Sequence, residues 1–294
     1  MNKTELPYYG QLIQEASLQP LGPLPLKLRE DWEALVPKKN APVLDGIRAV
    51  LFDLYGTLFI SGAGEIAAMA ADIVPAEIQN NALAEMETYF RQEVKRRHET
   101  ARAAGIDWPE VKAEEIWAAY KGNLPDARIA SPYSGRELAL RYELEINPVY
   151  PMPYAKEVLH SLVSGGRKLG IISNAQFYTP LLFNAFFNAS PRELGFDPEL
   201  CIYSFEEGEA KPSPRLFTKA RELLIRQNIQ PEETLYIGND MRNDIIPAAA
   251  AGFATALFAG DRRSLRLRES DPACAGKKPS MVIKDLRAIA PPLV

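Results

Sequence analysis

From Pro151 onward the chain alternates between two kinds of segment, and this alternation restricts the fold more than any other feature. Short apolar runs, "KLGIISN", "LCIYSF", "TLYIGND" and "FATALFAG", are each preceded by a stretch with apolar residues at helical spacing. The helical stretches cover 154–165, the segment before Leu200, 214–227 and a run from about Asp244. A last apolar run, "SMVIK", precedes the C-terminus. Strands without polar alternation are buried on both faces, and helices between successive strands cover those faces, so the pattern predicts a parallel sheet in an α/β fold. The run at 48–53, "AVLF" and its flanks, belongs to the same sheet as its first strand.

About ninety residues separate that strand from the rest, and their pattern is helical throughout. "PAEIQNNALAEMETYFRQEVKRRHETARAAG" (75–105), "PEVKAEEIWAAY" and "SGRELALRYELEI" carry apolar residues at helical spacing, with Pro75 near the start of the first. The expected organisation is an N-terminal extension (1–46), a core (47–61 and 149–294) and an inserted all-helical domain (62–148). Prolines at 7, 20, 23, 25, 37 and 42 bar a long helix from most of the extension. It reads as an irregular surface segment with one short helix at "LREDWEALV". The charged stretch "GDRRSLRLRESDPACAGKKPS" (260–280) reads as an exposed loop with one helical turn.

Composition removes several classes of function. A formal net charge of -4 over 294 residues gives no support to nucleic acid or a membrane surface as partner. No apolar run approaches the length of a membrane span, and the first twenty residues have no signal-like apolar core. Cys201 and Cys274, far apart and without a second pair, read as free thiols, so a cytoplasmic location is expected. The two histidines are weak catalytic candidates: His160 lies in a helical pattern and His98 among charges.

Ligands of open parallel sheets bind beyond the carboxyl ends of the strands. The first strand ends on Asp53, the second on Ser173 and Asn174, and a later one on "GNDMRND", with Asn239, Asp240 and Asp244. Lys211 lies in "AKPSPRLF", just before the 214–227 helix. Each polar residue alone is a fair helix cap; the whole set converging on one edge is better explained as chemistry. A carboxylate beside a lysine ammonium can act as a nucleophile. Two further carboxylates nearby call for a cation, and hard oxygen donors from Asp53, Asp244 and the Tyr55 carbonyl suit magnesium, with Asn239 or Asp240 in its inner or outer shell. Ser173 and turn amides can hold phosphate oxygens.

With those residues in view, the sequence resembles the haloacid dehalogenase superfamily over about 47–260. "FDLYGTLF", "IISN", "KPSPRLF" and "GNDMRNDIIPAAAAG" stand for its four motifs in order, and "YPMPYAKEVLHSL" for the return from cap to core. The resemblance implies a Rossmann-like parallel-sheet core with a helical cap closing over the site. It implies Asp53 as the nucleophile of a covalent aspartyl intermediate, Lys211 as its charge partner, Thr57 and Ser173 as holders of the transferred group, and Asp244 as a metal ligand in the phosphatase branch.

Two departures bear on the branch. Phosphatases of the superfamily carry a second aspartate where Tyr55 stands; members that cleave 2-haloacids carry tyrosine, because a departing halide needs no proton. Against this, "GNDMRND" is closer to the metal-binding form of the fourth motif, with Asn239 where the first aspartate is usual. No arginine occurs around Ala84, where the dehalogenase branch receives its halide, and Arg91 is the nearest downstream. Three readings follow: a magnesium-dependent phosphohydrolase of a small phosphorylated metabolite, a metal-independent 2-haloacid dehalogenase, and a non-catalytic binding relative. Arg91, Lys95, Arg96, Arg97 and Arg102 on the insert are candidates to select an anionic small-molecule substrate, weighed against a plain solvated helix face.

Overall fold

A computed structural model describes residues 5–38, 43–65, 81–122 and 133–290. The chain begins with α1 (Glu5–Ala16) and the short α2 (Glu30–Glu33), then enters β1 (Ala49–Phe52) and β2 (Phe59–Ser61). Three helices follow, α3 (Asn81–Ala103), α4 (Ala113–Gly122) and α5 (Gly135–Ile146), before β3 (Val149–Pro151) returns antiparallel to β2. Then come α6 (Ala155–Ser164), β4 (Lys168–Ser173), α7 (Leu181–Phe187), β5 (Phe196–Tyr203), α8 (Ser204–Glu207), α9 (Pro214–Arg226) and β6 (Thr234–Gly238). The chain closes with α10 (Ile246–Ala250), β7 (Ala254–Phe258) and β8 (Met281–Ile283).

Six strands form one sheet in the order β5-β4-β1-β6-β7-β8, every neighbour parallel. β1 is fully buried, and its side chains divide by the two-residue strand period. Val50 and Phe52 join one apolar cluster, Ala49 and Leu51 the other, so both sheet faces are covered as the unbroken apolar run predicts. The order of the sheet sets the site. Phe52 is in register with Ile171 of β4 on one side and Ile237 of β6 on the other, so the chain leaves all three strands at neighbouring points of one edge.

The helices of the insert hold one another through aromatic rings. Phe90 stacks on Trp117 at 5.4 Å between centroids, and Trp117 meets Tyr142 at 4.9 Å. α5 starts at Ser134, whose side chain accepts from the Glu137 amide at 3.1 Å. The helix expected over 75–105 is described from Asn81; its first six residues lie outside the described residues.

Two expectations need correction. α1 is a twelve-residue helix through Pro7. Proline in a first helical turn gives up an amide that has no helical partner there, so it does not bar the helix. The extension packs on the core: Ile13 is fully buried, Tyr9 packs edge-on to Phe177, and Trp32 lies with Met241, Ile245 and Val282 in a third apolar cluster. The 260–280 stretch is an exposed loop in its second half only, where 269–280 is mostly exposed and holds a single helical turn at Pro272–Cys274. In its first half Asp261 and Ser264 are buried, and the chain runs along the end of β6. No helix among the described residues is long and apolar enough to cross a membrane.

Candidate active site

Asp53 follows the last residue of β1 and is held from below by its amide, which donates to the Ile237 carbonyl at 2.8 Å. Its side chain is loaded on one oxygen. Ser173 Oγ donates to Oδ1 at 2.9 Å and Lys211 Nζ donates to the same atom at 2.6 Å. Among the described residues no side chain donates to Oδ2. Asn174 positions the lysine rather than the carboxylate: its Oδ1 accepts from the Lys211 amide at 2.7 Å.

Lys211 Nζ also reaches Asp244 Oδ1 at 2.5 Å, so one ammonium, 3% exposed, bridges two buried carboxylates. Burial pulls the lysine towards its neutral form, but Asp244 and Asp53 together outweigh burial and raise its pKa. Burial likewise pushes Asp244 up to about 7; Lys211 opposes the shift, and Asp53 and Asp240 add to it. Every donor around Asp244 is nevertheless arranged for the ionised form. Oδ1 faces Lys211 and the Tyr236 hydroxyl at 2.9 Å, and Oδ2 accepts the Asn239 and Asp240 amides, each at 3.0 Å. A carboxylate has about four acceptor sites, and these four contacts use them.

The fourth motif carries a π-type turn over Met241–Ile245, in which the Ile245 amide bonds the Asp240 carbonyl at 3.2 Å. Asp240 caps this turn through the Arg242 and Asn243 amides at 2.8 and 3.1 Å, and Arg268 grips its other oxygen at 2.6 Å. Asn239 does different work. Its Nδ2 donates to the Ser264 carbonyl at 2.6 Å, and its Oδ1 accepts the Thr57 hydroxyl at 3.3 Å. An aspartate there would set a carboxylate against that carbonyl. Thr57 is thus a tie between loops, and Gly56 beside it sits at φ +83° with Ser264 and Asn239 so close that a Cβ would strike both.

Tyr55 is the outlier of the predicted set. Its hydroxyl pairs with Thr179 Oγ1 at 3.0 Å, and Thr179 in turn accepts the Gln176 amide at 3.0 Å. Burial, with the nearby Glu143 charge, raises the Tyr55 pKa well above its ordinary value. The hydroxyl therefore holds its proton, paired with the Thr179 hydroxyl rather than with Asp53.

A cleft of about 400 Å³, counted to its open mouth, is lined by Asp53, Tyr55, Asn174, Lys211, Asp240 and Asp244, and by Arg266 opposite. Of the predicted residues, Thr57 and Ser173 lie behind this lining. Among the described residues no three His, Cys, Asp or Glu side chains are disposed as a metal cluster. The physical reason is Lys211, which stands between Asp53 and Asp244. The donor set still fits one hard cation in part: Asp53 Oδ2, the Tyr55 carbonyl, and Asp240 once Arg268, its side chain 34% exposed, is exchanged. Asn239 and Asp244 do not fit as inner ligands, since their oxygens are committed to Thr57, Lys211, Tyr236 and backbone amides.

Sequence reasoning missed Tyr236, Ser264, Arg266 and Arg268. Tyr236 was visible as the one hydroxyl in the middle of a buried strand run; the others lay in a stretch read as solvated. The cations of α3 take the bland role. Arg91 pairs with Glu87 at 2.5 Å, Arg96 and Arg97 with Glu93 at 2.6 and 2.9 Å, and Lys95 lies 4.0 Å from Glu99. Neither these nor Arg102 is among the described lining of the cleft.

A family model described as haloacid dehalogenase-like hydrolase matches residues 47–252. The chain is 28% identical over 240 residues to a ribulose-1,5-bisphosphate 5-phosphatase of Halopiger xanaduensis, covering 78% of this chain and 92% of that protein. It is 34% identical over 90 residues to the rhythmically expressed gene 2 protein of Drosophila melanogaster, 31% of this chain and 32% of the relative. Among solved structures, an L-2-haloacid dehalogenase from Xanthobacter autotrophicus is similar with a TM-score of 0.47 and 20% identity, covering 82% of this chain and 95% of that one. A HAD phosphatase from Thermococcus onnurineus is similar with a TM-score of 0.43 and 18% identity, covering 82% and 94%.

Proposed function

The chain belongs to the haloacid dehalogenase-like hydrolases, and from that premise we propose that it is a magnesium-dependent phosphohydrolase of a small phosphorylated metabolite with Asp53 as nucleophile. The observation that carries this reading is the one-sided loading of Asp53. Ser173 and Lys211 fix Oδ1, so Oδ2 is the oxygen offered to the cleft. Oδ2 attacks phosphorus, the ester P–O bond breaks, and the leaving oxygen departs with its electron pair and takes a proton from solvent. Water then attacks phosphorus and gives a proton back to solvent, the P–Oδ2 bond breaks with its electron pair returning to the carboxylate, and phosphate is released. Lys211 stabilises charge at Asp53 throughout, and residues 62–148 act as the cap that encloses the substrate. Magnesium would be held by Asp53, Asp240 and the Tyr55 carbonyl, and when bound would supply charge neutralisation to the phosphoryl oxygens. The relative of Halopiger xanaduensis, whose name specifies a sugar bisphosphate, makes phosphorylated sugars the first substrates to try.

One observation favours a second reading. The Tyr55 hydroxyl is paired with Thr179 and stands where phosphatases of the superfamily carry a second aspartate, so no carboxylic acid is offered at that place to protonate an alcohol, and a 2-haloacid releases halide without one. A single experiment separates the two: phosphate release from 4-nitrophenyl phosphate and glycerol 3-phosphate, and halide release from 2-chloropropionate, each with and without magnesium. Magnesium-dependent phosphate release, faster from the aryl ester, is expected. Metal-independent halide release would replace the first reading by the second.

A further inference from the structure

The segment after β7 carries four arginines; Arg262 is exposed, and the other three, Arg263, Arg266 and Arg268, are held in two different ways. Arg263 grips Asp261, Nη2 to Oδ2 at 2.9 Å, and Arg268 grips Asp240 at 2.6 Å. Arg266 lies between them in sequence and has no such partner in its hydrogen bonding. Its Nη1 donates to the carbonyls of Arg263 at 2.5 Å and Leu265 at 3.3 Å, which fix the guanidinium without matching its charge.

Its position is built, not incidental. The Arg266 amide donates to the Asn239 carbonyl and its carbonyl accepts the Met241 amide, both at 2.9 Å, so the residue is clamped as a parallel bridge to Asp240. The guanidinium then crosses Gly64, at φ +90°, where a Cβ would lie 2.5 Å from Nη2. Only a residue without a side chain leaves that passage open. Among the described residues lining the cleft the cations are Lys211 and Arg266. Lys211 is consumed by Asp53 and Asp244. The remaining described lining mixes four acids, Asp53, Glu65, Asp240 and Asp244, with neutral groups such as Asn174 and Asn243, so Arg266 is the one positive charge there not already paired with a carboxylate.

We propose that Arg266 is a specificity residue that binds a second anionic group, phosphate or carboxylate, on a substrate whose reacting phosphate sits at Asp53. The proposal rests on the phosphohydrolase reading. It places selection of the substrate's far end on the core, not on the helical insert. Asp53 and Arg266 line the same small cleft, which favours a short link between the two anions. A guanidinium fork is suited to either oxyanion.

The test uses three-carbon phosphates with a neutral, a carboxylate or a phosphate far end: glycerol 3-phosphate, 3-phosphoglycerate and 1,3-propanediol bisphosphate, with 4-nitrophenyl phosphate as a second single-anion control. Loss of a charged hydrogen bond is worth about tenfold or more. Arg266→Gln should therefore raise KM at least about tenfold for whichever probe carries the preferred second anion, with kcat shifted less than about threefold. The two single-anion probes should move by less than about threefold, Arg266→Lys should recover part of the loss, and Arg262→Gln, on the exposed neighbour, should change nothing. The carboxylate and bisphosphate arms tell which anion is taken. Equal losses on all four probes, or none on any, would overturn the proposal. Calorimetric binding of 1,3-propanediol bisphosphate and of 3-phosphoglycerate to Asp53→Asn protein, with and without Arg266→Gln, gives a readout independent of turnover. A chain that cleaves no phosphate but loses this binding with Arg266 defeats the phosphohydrolase reading alone. A chain that cleaves phosphates but binds both the bisphosphate and 3-phosphoglycerate equally well without Arg266 defeats this proposal alone.

Discussion

Lys211 and Tyr55 both stand next to Asp53, yet they are tied into opposite kinds of surroundings. Lys211 is an ion among ions: it joins Asp53 to Asp244, and the Tyr236 hydroxyl and two backbone amides complete the shell around the second acid. Tyr55 turns its hydroxyl to Thr179 and through it to the Gln176 amide, all uncharged groups. On the proposed reading, charge is concentrated where a bond to Asp53 would form, and the arrangement would serve the attack of a carboxylate more than help to the leaving group.

The largest effect expected from this comparison is at Asp53. Asp53→Asn keeps the size and the Ser173 contact and removes the attacking charge, so turnover should fall at least about 1,000-fold with the circular dichroism spectrum unchanged. Activity surviving in a folded variant would remove the nucleophile from the charged side. Lys211→Met comes next. It leaves Asp53 and Asp244 buried without their shared cation, and breaking such a pair costs about 3–5 kcal/mol; a loss of unfolding free energy of about that size in urea titration should accompany an activity loss of about 100-fold. A stable, active variant would mean that another cation balances the two acids.

Tyr55→Phe should do little on the neutral side. It deletes one hydrogen bond, worth about 1 kcal/mol, and 4-nitrophenyl phosphate turnover should change less than about threefold. A large fall in kcat for an alkyl phosphate alone would show that the hydroxyl does serve the leaving group, and the contrast with Lys211 would collapse.

The two sides also differ in how well the sequence announced them. Asp53, Ser173 and Lys211 were legible because strands in register deliver their ends to one edge, and a sheet order with β1 between β4 and β6 needs no side-chain detail to bring them together. The parallel core was legible for the same reason: unbroken apolar runs admit one environment. The roles of Asn239 and Asp244 were not, because type and spacing give donors without saying which partners already occupy them. Arg266 and Arg268 were hidden by a local rule, that charged stretches are solvated, which fails when a backbone bridge pins the stretch against a strand end. α1 was hidden by another, since proline at a first turn and proline in a helix interior look alike until the helix start is known.

The smallest effect lies further along the neutral side, at Glu110, and it tests whether a carboxylate there behaves as the uncharged surroundings require. Glu110 is half-buried as a residue, but its carboxylate turns inward, to Ser204 Oγ at 2.6 Å, the Val111 amide at 2.8 Å and Gln176 Nε2 at 3.4 Å. The same linker is stitched to the chain just before Lys211, with the Glu110 amide on the Gly208 carbonyl and the Ala210 amide on the Trp108 carbonyl. Burial pushes Glu110 from 4.5 to about 7, the Ser204 and Val111 hydrogen bonds opposing the shift. Its folded pKa lies above its unfolded one, so between about pH 4.5 and 7 the folded chain holds the proton that the unfolded chain has lost. Stability from this group is therefore full below that window and falls as pH rises through it. Above pH 7 the loss is complete and constant. Glu110→Gln keeps the shape and cannot titrate, so its melting temperature should match the parent near pH 4.5 and exceed it by a few °C, of the order of ~4 °C, at pH 8. A difference that stays the same at both pH values would mean that the carboxylate is already ionised in the folded chain throughout, and that this side of the molecule tolerates charge as readily as the side built around Lys211.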